Sequence, residues 1–279
     1  MRSFDSAQAQ SSIFDALLDA ARTHGLKKPI LEDQARNPLT YLDLIRGAFA
    51  LGRKISAFTT KGERVGVMLP SSVGAVVTFF ALHAFGRVPT MLNFTAGIRN
   101  LKAACDLAGV KTVLTSHRFV EQGKLHDLID ALESKAKVVY LEDVRRTVGL
   151  ADKLFAAAAG ALPKQFRAPV SPSDPGVILF TSGSFGAPRG VVLSHSNLVA
   201  NCRQVAQHIP LDTNWVFFNP LPIFHVFGLT GGALLPLLAG LKTFQYPSPL
   251  HVKQIPPLVK DTGANVLFAT DTFINQYAR

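Results

Sequence analysis

Acidic residues are scarce in this chain of 279 residues: 19 Asp and Glu stand against 29 Lys and Arg, leaving a net charge of +10. A nucleic-acid binder gathers such an excess on one face or stripe. Here it is spread. There are 13 basic against 8 acidic residues up to Val110, 10 against 7 from Lys111 to Ala168, and 6 against 4 from Pro169 onward. That distribution argues against nucleic acid. It fits other anionic partners better, such as nucleotides, an acidic carrier protein or a membrane surface. Cysteine is nearly missing too. Cys105 and Cys202 each lie in helix-like apolar stretches with no metal-ligand spacing around them. They read as buried free thiols of a reducing compartment. An unbroken apolar run of about 20 residues, which a membrane helix needs, is absent. The nearest approach, Pro220 to Leu241, has His225 as its one titratable residue but is interrupted by Pro220, Pro222, Pro236 and repeated glycines. It reads as buried core or pocket wall. The acidic N-terminal stretch with Asp5, Asp15 and Asp19 does not read as a signal peptide.

What is present is a globular composition, 48% hydrophobic, able to bury a real core. Ile13, Phe14, Leu17, Leu18 and Ala21 have helical spacing, with Ser11 or Ser12 as cap and Gly25 as stop. A second helix begins at Thr40-Tyr41. Val65 to Leu69 predicts a buried strand, and Ser72 a cap for a helix over Val73 to Phe85. Val88 to Leu92 and Val110 to Leu114 predict strands around a helix capped by Thr95. A helix over Phe119 to Leu132 and a strand at Val138 to Leu141 follow. Leu162 to Pro175, with four prolines, reads as a linker. Beyond it the alternation resumes through Val177–Phe180, Val191–Leu193, Asn197–Gln207, Trp215–Phe218, Gly232–Leu238, Thr243–Tyr246, Val252–Lys260 and Val266–Ala269. Regular strand–helix alternation predicts an α/β fold of mixed, mostly parallel sheets flanked by helices. The expected organisation is one α/β subdomain over 1–168 and a second over 169–279.

The sharpest chemical feature is the run from Leu179 to Val191. An apolar strand enters a loop of Thr181, Ser182, Gly183, Ser184, Phe185, Gly186, Ala187, Pro188, Arg189 and Gly190, then returns to a strand. Glycines let backbone N–H groups approach an anion, hydroxyls add donors, and Arg189 offers a fork suited to phosphate. The loop is not a Walker A sequence, a dinucleotide fingerprint or a nucleophile elbow, because none of those spacings occurs.

This loop resembles the signature of the adenylate-forming superfamily: acyl-CoA synthetases, luciferases and peptide-synthetase adenylation domains. The pattern there is Thr-Ser-Gly-Ser/Thr-Thr-Gly-x-Pro-Lys-Gly. Thr181, Ser182, Gly183, Ser184, Gly186, Pro188 and Gly190 match it. Phe185 stands where threonine or glutamate is usual, and Arg189 where lysine is usual. Arg64 to Pro70, Gly86 to Pro89, Val191 to Leu198 and Pro220 to Gly228 resemble other segments of the family. Gly186-Ala187-Pro188, Tyr246 to His251 and Ala269 to Phe273 resemble one branch, the long-chain acyl-acyl carrier protein synthetases often fused to lysophospholipid acyltransferases. No histidine here has an aspartate five residues later, so the acyltransferase motif is not on this chain.

The resemblance implies that a carboxylate attacks ATP to form an acyl-adenylate, which a thiol of coenzyme A or acyl carrier protein then intercepts. It implies Thr181, Ser182, Gly183, Ser184, Gly186, Arg189 and Gly190 as the ATP-binding residues. It places His225 near the acyl-adenylate, with Phe224 and Phe227 beside an acyl chain. Magnesium is expected as a second cofactor, with its ligands in the family lying downstream, as do the adenine- and ribose-binding segments. The chain is therefore expected to be an N-terminal portion, inactive alone, with a cytoplasmic location or one at the cytoplasmic face of a membrane through fused domains. The alternative is a non-catalytic remnant that binds nucleotide or a partner.

Overall fold

The computed structural model describes residues 5–182 and 188–279. Eleven strands are described in chain order: β1 (Pro29–Asp33), β2 (Leu39–Thr40), β3 (Arg64–Val67), β4 (Val88–Met91), β5 (Thr112–Thr115), β6 (Lys137–Tyr140), β7 (Pro175–Ser182), β8 (Pro188–Ser194), β9 (Val216–Asn219), β10 (Lys242–Gln245) and β11 (Val266–Leu267). They form two sheets, ordered β11-β9-β10-β1-β2 and β6-β5-β3-β4-β7-β8. All pairings are parallel except β1 with β2 and β7 with β8. The expected mixed, mostly parallel α/β fold is present. Parallel pairing needs crossover connections, and these are the helices.

The two compact units interleave in sequence. One comprises residues 1–44, 70–76 and 196–279, the other residues 45–69 and 77–195. This differs from the division expected at 168/169. The cause is non-local pairing: Thr90 of β4 registers with Ile178 of β7, which keeps residues 175–194 in the same sheet as β3 to β6. Likewise Leu31 of β1 registers with Thr243 of β10, drawing the N-terminal strands into the other sheet. The proline-rich stretch after Leu162 thus connects parts of one unit, and it contains a short helix, Pro163–Phe166.

In the first unit, the helix Ile13–His24 starts at Ser12, whose Oγ accepts from the Asp15 N–H at 3.0 Å and donates to the Asp15 carboxylate at 2.8 Å. Its apolar stripe, including Ile13, Phe14, Leu17 and Leu18, is buried. Behind the sheet, Phe218, Phe244, Tyr246 and Ile255 form a core cluster, and the Phe218 and Phe244 rings stack at 5.2 Å. In the second unit the core gathers Met68, Leu92, Leu101, Val113, Ile129 and Ile178.

Several local expectations change. Ser72 does cap its helix, accepting from the Ala75 N–H at 3.2 Å. Thr95 does not cap: its hydroxyl donates to the Asn93 side chain at 2.7 Å, and Gly97 precedes the helix Ile98–Ala108. The helix read over 119–132 is two, His117–Gly123 and His126–Glu133, divided by Lys124 in the left-handed region at φ 52°. The stretch read as helix over 232–238 is a π-helical segment, Phe227–Leu234, continued by one α-turn, Leu235–Leu238.

Both cysteines are buried and free. Burial, aided by Asp106, pushes the Cys105 thiol up to about 11, and burial alone pushes Cys202 up to about 12. Neither is a thiolate at neutral pH. Among the described residues no helix is long and apolar enough to cross a membrane.

Candidate active site

β7 and β8 pair antiparallel, and the glycine-rich segment joins them in sequence. Phe180 registers with Gly190, Thr181 with Arg189 and Ser182 with Pro188. Directly opposed residues of such a pair carry their Cβ atoms about 4.5–5.5 Å apart on one face. Thr181 and Arg189 therefore stand as neighbours at the loop's mouth, both exposed. Gly183, Ser184 and Gly186, with Phe185, lie outside the described residues, as does the side chain of Ser182.

Arg189 also lines a groove of about 470 Å³, together with Arg64, Leu107, Phe180 and Val192. Arg64 is tied there by a bond from its guanidinium to the Ala108 carbonyl at 3.1 Å. Two guanidinium-bearing residues thus face one concavity beside the hairpin, and this favours an anion. At Gly190 an added Cβ would meet Leu107 and Phe180 at 3.5 and 3.6 Å, ordinary contact distances. Packing on that face does not demand glycine. The donor set at the loop's described edges, a hydroxyl and a guanidinium, fits a phosphate group.

The stem of the hairpin is anchored by His83. Its Nδ1 lies 2.7 Å from the Phe79 carbonyl and its Nε2 2.8 Å from the Gly176 carbonyl, linking the helix Val73–Ala84 to the start of β7. Burial, then the nearby His195 ring at 5.2 Å, lowers the His83 pKa to about 3, against the opposing pull of the two carbonyls. A neutral ring has one N–H, so it donates to one of these carbonyls at a time. His195 opens the helix His195–His208 and is buried.

His225 belongs to the other compact unit. It sits just before the π-helical segment, with its N–H donating to the Pro222 carbonyl at 3.1 Å and its carbonyl accepting from Leu229 at 2.9 Å. The ring is accessible and packs 4.7 Å from the Phe224 ring. Surrounding protein atoms still withdraw enough solvent to hold its pKa below the ordinary imidazole value. A neutral His225 can donate a hydrogen bond at pH 7 without carrying permanent charge. Val226 and Phe227 are half exposed beside it, and the Phe227 ring lies 5.1 Å from that of Phe268.

The sequence reading missed what lies beneath this segment. Asn219, Thr243 and Gln245 are fully buried polar residues, and they hydrogen-bond the Gly228 and Gly232 carbonyls. The available signal was small: β9, Val-Phe-Phe-Asn, is an apolar strand closed by a carboxamide, and β10, Lys-Thr-Phe-Gln, carries its buried polar residues in a stretch that reads as half exposed. No group of three His, Cys, Asp or Glu side chains among the described residues is placed to hold a metal ion. None of them is assigned a magnesium contact.

The model of the AMP-binding enzyme family matches residues 17–279, and the chain belongs to that family. The 4-coumarate–CoA ligase 2 of Oryza sativa subsp. japonica is 30% identical over 193 residues, covering 64% of this chain and 33% of that protein. The medium-chain-fatty-acid–[acyl-carrier-protein] ligase TtuA of Teredinibacter turnerae is 38% identical over 85 residues, covering 30% of this chain and 13% of that one. Among solved structures, the anthranilate CoA ligase AuaEII in complex with anthranoyl-AMP superposes with a TM-score of 0.82 at 15% identity, covering 98% of this chain and 52% of that one. ATP-bound MatB from Rhodopseudomonas palustris gives 0.79 at 23% identity, covering 97% and 51%. These likenesses confirm the fold. The chain spans about a third of the length of the first curated relative it matches.

Proposed function

We propose that this chain supplies the N-terminal part of an ATP-dependent ligase that activates a fatty acid, long-chain by preference, as its acyl-adenylate. The activated acyl group then passes to a thiol of coenzyme A or acyl carrier protein. The observation that carries this reading is the Thr181–Arg189 pair, opposed across β7 and β8 at the mouth of the glycine-rich loop. A hydroxyl and a guanidinium on one face of paired strands, joined in sequence by a glycine-rich segment, make a cradle for phosphates. The ligase names of relatives on both coenzyme A and carrier-protein substrates support the same chemistry. In this reading Ser182, Gly183, Ser184, Gly186 and Gly190 complete the cradle. His225 donates toward charge developing near the acyl-adenylate, and Phe227 and Val226 offer apolar surface to the acyl chain. Bound magnesium would neutralise charge on the phosphates. The expected setting is the cytoplasm, and the chain alone is expected not to turn over.

Calorimetric titration with ATP, with and without magnesium, tests the reading on the chain and on Arg189→Ala. Weak binding that falls at least tenfold in the variant supports a working cradle. No heat from either protein, both shown to be folded, would favour a non-catalytic module, the reading to which Phe185 in the loop already lends weight.

A further inference from the structure

The helix Leu150–Ala161 is held to its unit by one face and bare on the other. On the held face, Asp152 is buried and paired with Lys54 at 2.8 Å and Arg53 at 3.5 Å. Phe155 packs edge-on against Phe49 and Phe166 at 6.4 and 5.5 Å, with the Arg53 guanidinium 4.7 Å above its ring. Gly160 lies so close to Arg46 that a Cβ would fall 2.8 Å from its Cγ. These contacts fix which face is turned outward.

The outward face is apolar. Leu150 is 73% exposed, Leu154 62% and Leu162 52%. Ala151, Ala157, Ala158 and Ala161 are exposed too, and their spacing places them with the leucines in one band along the helix. No charged side chain interrupts the band. Its surroundings are mainly basic: Arg145, Lys153 and Lys164 are exposed, Arg146 is exposed but paired with the exposed Asp143 at 3.1 Å, and from Lys153 to Ser173 the chain has no acidic residue. Phe166, 36% exposed, stands at the far end.

We infer that this face docks on an anionic lipid surface. The leucines and alanines would enter the boundary between headgroups and acyl chains, while the bordering cations reach the phosphates. Charge selects this occupant over a second copy of the chain. Two copies meeting at this face would oppose two sets of basic borders on molecules that each carry +10. A lipid surface of opposite sign meets the same borders favourably. The inference does not depend on the ligase reading, since docking needs neither ATP nor turnover.

Co-sedimentation with phosphatidylglycerol vesicles, compared with pure phosphatidylcholine, is the test. We expect binding at least tenfold stronger to the anionic vesicles and weakened by 0.5 M salt. The triple variant Leu150→Gln, Leu154→Gln, Leu162→Gln should lose at least tenfold while unfolding at the temperature of the parent, since all three side chains are exposed. Arg145→Gln with Lys153→Gln should lose the preference for anionic lipid. Equal binding by parent and triple variant would overturn the inference, as would no binding to phosphatidylglycerol at all. So would dimerisation without lipid that the triple variant abolishes, because the second copy would then be the occupant.

Discussion

Asn219 and Gln245 are register partners on the neighbouring parallel strands β9 and β10, and their side-chain amides meet at 2.9 Å beneath the π-helical segment. The Asn219 amide also donates to the Gly228 carbonyl at 3.2 Å, while its oxygen accepts from Leu221. The Gln245 amide donates to the Gly232 carbonyl at 3.0 Å and to Thr243 at 2.8 Å. Wide π-helical turns sit uneasily in an ordinary helix and occur mostly at functional sites. Here buried amides bond two carbonyls of the wide turn.

Replacing Asn219 with alanine should therefore cost about 2–4 kcal/mol, because the Gly228 carbonyl and the Leu221 N–H lose a buried partner together. Denaturant unfolding would measure the loss. The His225 imidazole should also shift in its NMR titration, since the segment it precedes is no longer held. An unchanged His225 would show that Asn219 stabilises without positioning.

Glycines near this network differ in why they are needed. At Gly232 an added Cβ would lie 2.1 Å from Asn219 Cγ, a contact with no room. Gly25 has open space around it but a φ of 100°, where side chains are strained. Gly232→Ala should cost about 3 kcal/mol, more than Gly25→Ala at about 1 kcal/mol. In the double variant with Asn219→Ala, the Gly232→Ala cost should shrink. Additive costs would mean that the clash lies elsewhere.

His83 makes stability depend on acid. Its pKa of about 3 in the folded chain lies below the ordinary 6.5, so the unfolded chain binds more protons between those values. Stability is fully present above pH 6.5 and is lost as pH falls through the window, by about 2 kcal/mol at pH 5. Urea midpoints at pH 7.5 and pH 5 should drop further for the parent than for His83→Gln. Parallel drops would remove His83 as the cause.

Thr90 offers the opposite kind of change. Its hydroxyl is buried with no hydrogen-bond partner among the described residues. Thr90→Val keeps the shape and removes the unmet polar atom, so it should stabilise by about 1 kcal/mol. A lower melting temperature in the variant would point to a partner for that hydroxyl.

Where local rules govern, the sequence was readable. Ser12 and Ser72 stand at helix starts because a short hydroxyl side chain satisfies N–H groups there, and both caps form. The two strands flanking the glycine-rich segment were readable as well, but they run further than their apolar cores, so that Thr181 and Arg189, read as loop residues, pair in register. Four things escaped. β1 and β2 are short and half polar, so they show no period. The π-helical segment is a run of glycines and apolar residues in which no amphipathic stripe exists. Two pairings that decide which sheet a segment joins, Thr90 with Ile178 and Leu31 with Thr243, link residues far apart in sequence, and no local pattern records that. The buried amides of Asn219 and Gln245 stand at the ends of their strands, where in sequence they are indistinguishable from surface residues.

The interleaving of the two units also sets an order of assembly on the ribosome. β1 cannot pair with β10 until Lys242 to Gln245 have been made, some two hundred residues after Asp33. At ordinary synthesis speeds that is a wait of roughly 10–40 s. By then every strand from β3 to β8 has already been synthesised. Until then β1 has only the two-residue β2 to pair with, and its apolar Ile30 and Leu31 wait without their parallel neighbour. A chaperone that recognises nascent apolar segments would find its first target there.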